Sequence, residues 1–211
     1  MTSAATATST AQRVREYVSA RTLGEPFTLI ELRELGPRGA VDHALAYLTR
    51  QEVIVNVTRG IYVCPKVSPL VGRVPPSAES VVRAWAEASH SAVEVHGAEA
   101  ARQFGLTTQM PVRPVYATSG RSRTMHLGEL KIELRHAAPS RLLFAGTRAG
   151  RAYAALRYLG RDEVTASTIE AIRERLAPEE FARLVSGRRL MPAWLNALLR
   201  PFATGSEMAL A

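Results

Sequence analysis

A chain of 211 residues that is 46% apolar has room for one large or two small packed cores. No apolar run approaches the ~18 residues that span a bilayer, and the single cysteine, Cys64, excludes an intramolecular disulfide and a cysteine-based zinc site. Lys and Arg outnumber Asp and Glu by 27 to 19, and the net charge of +8 points to a polyanionic partner, nucleic acid first and an anionic membrane surface second.

Residues 1–9 form a small, polar arm with neither the basic nor the apolar region of a signal peptide, so a disordered arm and a cytoplasmic location are expected. Thr10 or Ser9 caps a first helix to about Arg21, with Val14, Tyr17 and Val18 on one face; Arg13 and Arg15 lie off it, free to meet solvent or phosphate, and Arg13 is a candidate for DNA phosphate contact. Gly24 and Pro26 break that helix, and Phe27 is expected as a short β-segment against a later hairpin. Thr28 caps Leu29–Leu35, with Glu31 placed to complete a capping box, and Gly36-Pro37 supplies the turn.

The next helix is expected over Arg38–Gln51. Val41, Ala44, Leu45 and Leu48 recur at helical spacing as an apolar stripe. Arg38, Gly39, Asp42, His43 and Ala46 fall on the outward face, where the second helix of a helix-turn-helix reaches base edges. Arg38 is suited to a bidentate bond with guanine, and Gly39 and Ala46 are small enough for close approach to the groove. Val53–Val57 and Ile61–Val63 flank Thr58-Arg59-Gly60, a hairpin whose tip places Arg59 against phosphate or the minor groove. Phe27–Val63 therefore reads as a winged helix-turn-helix.

Pro65, Pro69, Pro75, Pro76 and Gly72 argue for a semi-rigid linker over residues 67–76. A helix from Ser77 to about Ser89 opens the expected second domain, 77–211. There, Ala92–Val95, Pro114–Ser119, Arg123–Leu127 and Leu130–Arg135 read as strands of a mainly antiparallel sheet. Gly97–Phe104, Thr147–Leu159, Thr165–Leu176, Pro178–Ser186 and Pro192–Leu199 read as helices, with Leu142–Phe144 a further short element. The fold class is α+β with a helical C-terminus.

The charge is unevenly placed, since residues 1–66 hold eight basic and six acidic side chains and the remainder nineteen and thirteen. Ser119-Gly120-Arg121-Ser122-Arg123 has the composition of an anion-binding loop. Together with Lys131 and Arg135, which share a strand face with Glu133, Arg121 and Arg123 are candidates for DNA backbone contact. A nucleotide or RNA ligand and a plain solvated face are the alternatives. Of the histidines in this half, none has a metal-binding spacing, and His96 before Gly97 reads as a helix cap. No Walker, GxGxxG or GxSxG motif and no catalytic carboxylate pair is present, so neither an enzyme nor a cofactor is expected.

The runs GPRGAVDHALAYLTRQEVI and VTRGIYV resemble the N-terminal module of AbiEi-type antitoxins of type IV toxin–antitoxin systems, through Arg38, Ala40-Val41, Leu45, Leu48 and Arg59-Gly60-Ile61-Tyr62. The sequence departs from that family at Gln51-Glu52-Val53, where a Lys-Gly turn is common. SPLVGRVPPSAESVVRAWA, HGAEAARQFGLTTQMPVRPVYATSG and ELRHA resemble the second domain of the shorter members, so the likeness spans roughly residues 10–160. The resemblance implies a winged-helix autorepressor bound to double-stranded operator DNA as a dimer or as cooperating monomers. It also implies an antitoxin that counteracts a nucleotidyltransferase-like toxin without a stable complex. The competing reading is a winged-helix interaction module joined to an RNA- or nucleotide-binding domain.

Overall fold

The computed structural model describes residues 9–70 and 72–203; apart from Ser9, the expected N-terminal arm lies outside the described residues. The chain forms two compact units, residues 1–90 with 126–129 and residues 91–125 with 130–211.

In the first unit, α1 (Thr10–Ser19) begins where the Ser9 side chain accepts from the Gln12 N–H at 3.2 Å. β1 (Pro26–Thr28) leads into a 3₁₀ segment, Leu29–Leu35, and then α2 (Arg38–Arg50). The expected helix at 29–35 is thus the tighter 3₁₀ form. Its capping box is present, with Glu31 Oε1 accepting from the Thr28 N–H at 2.7 Å. β2 (Val55–Thr58) and β3 (Ile61–Val63) follow as a hairpin, and the sheet order β1-β3-β2 confirms that Phe27 pairs across the later hairpin, opposite Tyr62. This order of elements is the winged helix-turn-helix.

Four positions of the predicted stripe, Val41, Ala44, Leu45 and Leu48, join Val14, Val18, Phe27, Leu32, Ile54 and Cys64 in one core. Gly36 lets the turn close. A Cβ there would overlap the Thr10 side chain, with Thr10 Cγ2 only 2.6 Å away. Just beyond α2, Glu52 takes the left-handed region at φ 57, the conformation glycine adopts most cheaply.

Two expectations about the linker are corrected. Residues 67–76 are not devoid of regular structure, because β4 (Lys66–Ser68) pairs antiparallel with β5 (Gly72–Val74). The prolines flank these strands and leave their ladder N–H groups intact, and Gly72 takes φ 69. The following helix, α3 (Ala78–Ala88), belongs to the first compact unit, where it packs on β1 and β3 through the side bearing Val81, Val82 and Ala84. The break between units falls after His90, well past the Pro-rich stretch.

The four-stranded sheet of β6 (Val93–Val95), β7 (Val115–Thr118), β8 (Arg123–Leu127) and β9 (Leu130–His136) runs in the order β6-β7-β9-β8 and belongs to the second unit except for the last two residues of β8. β6 and β7 are antiparallel, but β7 and β9 are parallel, pairing Ala117 with Arg135. Ser119-Gly120, although a Gly turn between two strands, therefore does not close a hairpin. From β7 the chain crosses to the far side of β9, and only Gly128, at φ 57, turns a hairpin, between β8 and β9.

The helices are α4 (Gly97–Gln103), α5 (Arg148–Leu159), α6 (Ala166–Arg173), α7 (Pro178–Ser186) and α8 (Ala193–Leu199). Thr147 and Thr165 cap α5 and α6 as predicted, and Gly160 stops α5 at φ 82. Leu142–Phe144 forms no element; a 3₁₀ turn at Pro139–Arg141 precedes it, and Phe144 takes φ 57. The unit is tied internally by a buried carboxylate. Glu94 Oε1 accepts from the Val95 N–H at 2.9 Å and from Arg151 Nε at 3.3 Å, and its Oε2 accepts from the Gly146 N–H at 3.1 Å. Burial still pushes the Glu94 carboxyl above its ordinary value. No helix among the described residues is long and apolar enough to cross a membrane.

Candidate nucleic-acid interface

The outward face of α2 carries the predicted reading residues together. Arg38, Gly39, Asp42, His43 and Ala46 are all exposed, while the opposite stripe is buried. The Arg38 side chain is 83% exposed, and its Nε lies 3.6 Å from Asp42 Oδ2, one helical turn on. An exposed pair of this kind is worth little in water, so Arg38 is held loosely and can exchange the carboxylate for a base edge or a phosphate. A Cβ built on Gly39 meets nothing within 4 Å. The fold therefore does not require a glycine there.

Two further exposed residues extend this face. Tyr47 and Arg50 are exposed on α2, four residues beyond His43 and Ala46, and the same helical spacing could have found them. Arg15, rather than Arg13, lines a groove of about 450 Å³ with His43, Tyr47 and Ala40. Arg13 is exposed on α1 and does not line that groove.

The wing presents Arg59 at an exposed turn fixed from both sides. Gly60 takes φ 75, and its carbonyl accepts from the Leu29 N–H at 3.0 Å, which ties the tip to the start of the 3₁₀ segment. A bulge at Val57 shifts the register between Asn56 and Thr58 just before the tip. The Tyr17 hydroxyl donates to Glu31 Oε2 at 2.7 Å, and Glu31 also meets Arg21 at 3.5 Å, bracing α1 against the 3₁₀ segment. Burial first, and then this bond, push the Tyr17 phenol up to about 12.

The basic residues predicted on the second unit divide into two groups. Lys131 and Arg135 do share a face with Glu133, and both are ion-paired to it, at 3.3 Å and 2.9 Å. These cations hold the Glu133 carboxyl below its ordinary value, the Arg135 bond contributing most. Arg121 and Arg123 are exposed. Their loop is not an open anion nest, however. The Gly120 N–H donates to Thr118 Oγ1 at 3.0 Å, the Ser119 N–H donates to the Ala92 carbonyl at 2.9 Å, and Ser122 Oγ accepts from the His136 N–H at 2.8 Å. Two of the loop's backbone donors, those of Ser119 and Gly120, are thus already committed. His96 is a helix cap as expected, its Nδ1 accepting from the Ala98 N–H at 3.3 Å. Among the described residues, no three His, Cys, Asp or Glu side chains gather as a metal site.

The profile of a family of unknown function, DUF6088, matches residues 13–184. The chain belongs to DUF6088. That match runs from within α1 to within α7, so the family pattern includes both compact units. No curated protein matches. Among solved structures, the chain is similar to the RV2827C protein from Mycobacterium tuberculosis, with 17% sequence identity and a TM-score of 0.44, over 89% of this chain and 79% of that one.

Proposed function

We propose that the chain is a double-stranded-DNA-binding antitoxin that represses its own operon. The observation that carries the DNA-binding part is the exposed face of α2, with Arg38, Asp42, His43, Ala46, Tyr47 and Arg50, beside a wing whose tip holds Arg59. A helix presented in this way fits the major groove, and a wing arginine adds a contact to phosphate or the minor groove. Arg38 reads guanine, and the small side chains of Gly39 and Ala46 admit the helix backbone. Arg15 and Arg59 neutralise phosphate, joined by Arg121 and Arg123 of the second unit. The antitoxin part, the operon of action and a nucleotidyltransferase-like toxin rest on the resemblance of residues 10–160 to AbiEi-like proteins. On this reading the protein acts in the cytoplasm and occupies two half-sites as a dimer or as cooperating monomers.

The test is a mobility-shift titration with DNA from upstream of the protein's own gene, against scrambled DNA of equal length. Arg38→Ala should lose ~1–3 kcal/mol of binding free energy and relax preference at one position, whereas Arg59→Ala should weaken all sequences alike and lower the salt slope by about 1. Equal affinity for both DNAs, or an Arg38→Ala variant that binds as tightly as the parent, rejects operator recognition. The antitoxin role is tested separately, by whether co-expression restores growth to cells producing the nucleotidyltransferase-like protein encoded beside it.

A further inference from the structure

The two units differ in charge far more than the division at residue 66 implied. Residues 1–90 with 126–129 hold ten basic and nine acidic side chains, a net +1, while residues 91–125 with 130–211 hold seventeen and ten, a net +7. Part of that excess surrounds a cleft of about 440 Å³ inside the second unit, walled by β6, β7, β9 and α5. Small side chains open it. The register places Glu94, Ala117 and Arg135 in one row across the sheet, so only a methyl group projects between the two charged residues. The facing wall on α5 offers Ala154, another methyl. Gly97 closes one end, because α4 approaches α5 so nearly that a Cβ there would stand 2.6 Å from the Ala154 carbonyl oxygen.

The lining is electropositive. Its one carboxylate, Glu94, is buried and already bonded to two backbone N–H groups and Arg151. Arg135, Arg141 and Arg157 line the same space. Among the described residues, no carboxylate lies within ion-pair distance of Arg141 or Arg157. Arg157 meets the Tyr153 side chain, its Nη1 lying 3.5 Å from the hydroxyl oxygen and its guanidinium 6.0 Å from the ring centre.

Two histidines add directed polar atoms. His136 Nδ1 lies 3.0 Å from the Gly120 carbonyl, which can only accept, so that nitrogen carries a proton. His96 Nδ1 accepts from Ala98, which leaves the proton of the neutral ring on Nε2 as a donor. Burial, and then Arg135, hold His96 below its ordinary value and therefore neutral at pH 7. Beside it stands Tyr158, its ring 5.8 Å from the His96 ring and 42% exposed although it lines the cleft. Guanidinium groups matched to phosphate, next to an open aromatic ring, make the pairing that holds a phosphate and a flat heterocycle together. The volume suits a ligand of that size.

We propose that this cleft binds a nucleotide unit, with its phosphate on Arg141, Arg157 and His96 and its base against Tyr158. The unit is either a free nucleotide or one residue of a single strand. The proposal does not depend on operator binding by the first unit.

Calorimetric titration of the full chain with AMP, GMP, CMP and UMP, with inorganic phosphate, and with a short single-stranded oligonucleotide tests it. At least one mononucleotide should saturate a single site per chain. Arg141→Ala, which removes an exposed side chain without an ion pair, should weaken it by about tenfold or more, and Tyr158→Ala should weaken it further than it weakens inorganic phosphate. Arg38→Ala and Arg59→Ala should leave mononucleotide binding unchanged, which separates this result from the fate of the DNA-binding reading. Competition by the oligonucleotide identifies the unit as part of a strand, and its absence identifies a free nucleotide. No saturation by any mononucleotide up to millimolar concentration overturns the proposal. So does equal affinity for inorganic phosphate, or an unchanged affinity in a folded Arg141→Ala chain.

Discussion

Replacing Glu94 tests the packing that shapes the second unit. Its side chain is 3% exposed and that of its partner Arg151 is 18% exposed, so neither charge is well served by water. Glu94→Ala removes the anion facing Arg151 and the acceptor for two backbone N–H groups, and uncovering a buried pair in this way costs ~3–5 kcal/mol. Glu94→Gln keeps the shape and some acceptor capacity, so its loss should be smaller. The pH dependence has a definite sign. The folded carboxyl is raised above its unfolded value, so the stability it contributes is fully present below the unfolded value and lost as pH rises through the folded one. Glu94→Gln should flatten that decline between acid and neutral pH.

The chain has two tryptophans, Trp85 in the first unit and Trp194 in the second, so urea unfolding in a Trp85→Phe background reports on the second unit through Trp194. A fluorescence transition is read against urea at pH 5 and pH 7 for parent, Ala and Gln variants. A loss below ~1 kcal/mol in Glu94→Ala, within the range of an ordinary surface change or a single neutral hydrogen bond, would refute the reasoning.

Gly36→Ala should lower the melting temperature, since the new methyl overlaps Thr10, at a cost of ~1–3 kcal/mol, and Thr10→Ala should recover part of it. Gly97→Ala should be at least as damaging and admit no such rescue, because one obstacle is the backbone carbonyl of Ala154. In a spectrophotometric titration one tyrosine, absent in Tyr17→Phe, should ionise only near pH 12. The stability that Tyr17 contributes should be present below its ordinary value of 10.0 and lost as pH rises towards 12; ionisation with the bulk of the tyrosines would contradict its bond to Glu31.

Much of the first unit was legible because its signals are local. Thr28 and Glu31 sit three residues apart as a capping box requires, Val41 to Leu48 keep a helical stripe, and Gly60 supplies the positive φ of the wing. Each is a property of a few consecutive residues, and the exposed face carrying Arg38 to Ala46 follows as the complement of that stripe. Tyr47 and Arg50 were within reach of the same geometry.

Local patterning is enough to dictate the α+β class, the capped helices and the order that makes a winged helix-turn-helix. The strand partners, the place where the chain divides and the cleft depend instead on long-range packing. Prolines at 65, 69 and 75 look like a linker until β4 and β5 are seen to lie between them. Residues 115–118 and 123–127 look like neighbours in a meander, but 115–118 pairs in parallel with 130–136 instead, through a crossover that no local pattern encodes. The same pairing sets Ala117 between Glu94 and Arg135, and the buried bonds of Glu94 leave three arginines to set the sign of the cleft. Local structure comes from interactions within one turn or one hairpin. The cleft comes from residues some forty positions apart, brought into one row by pairing alone.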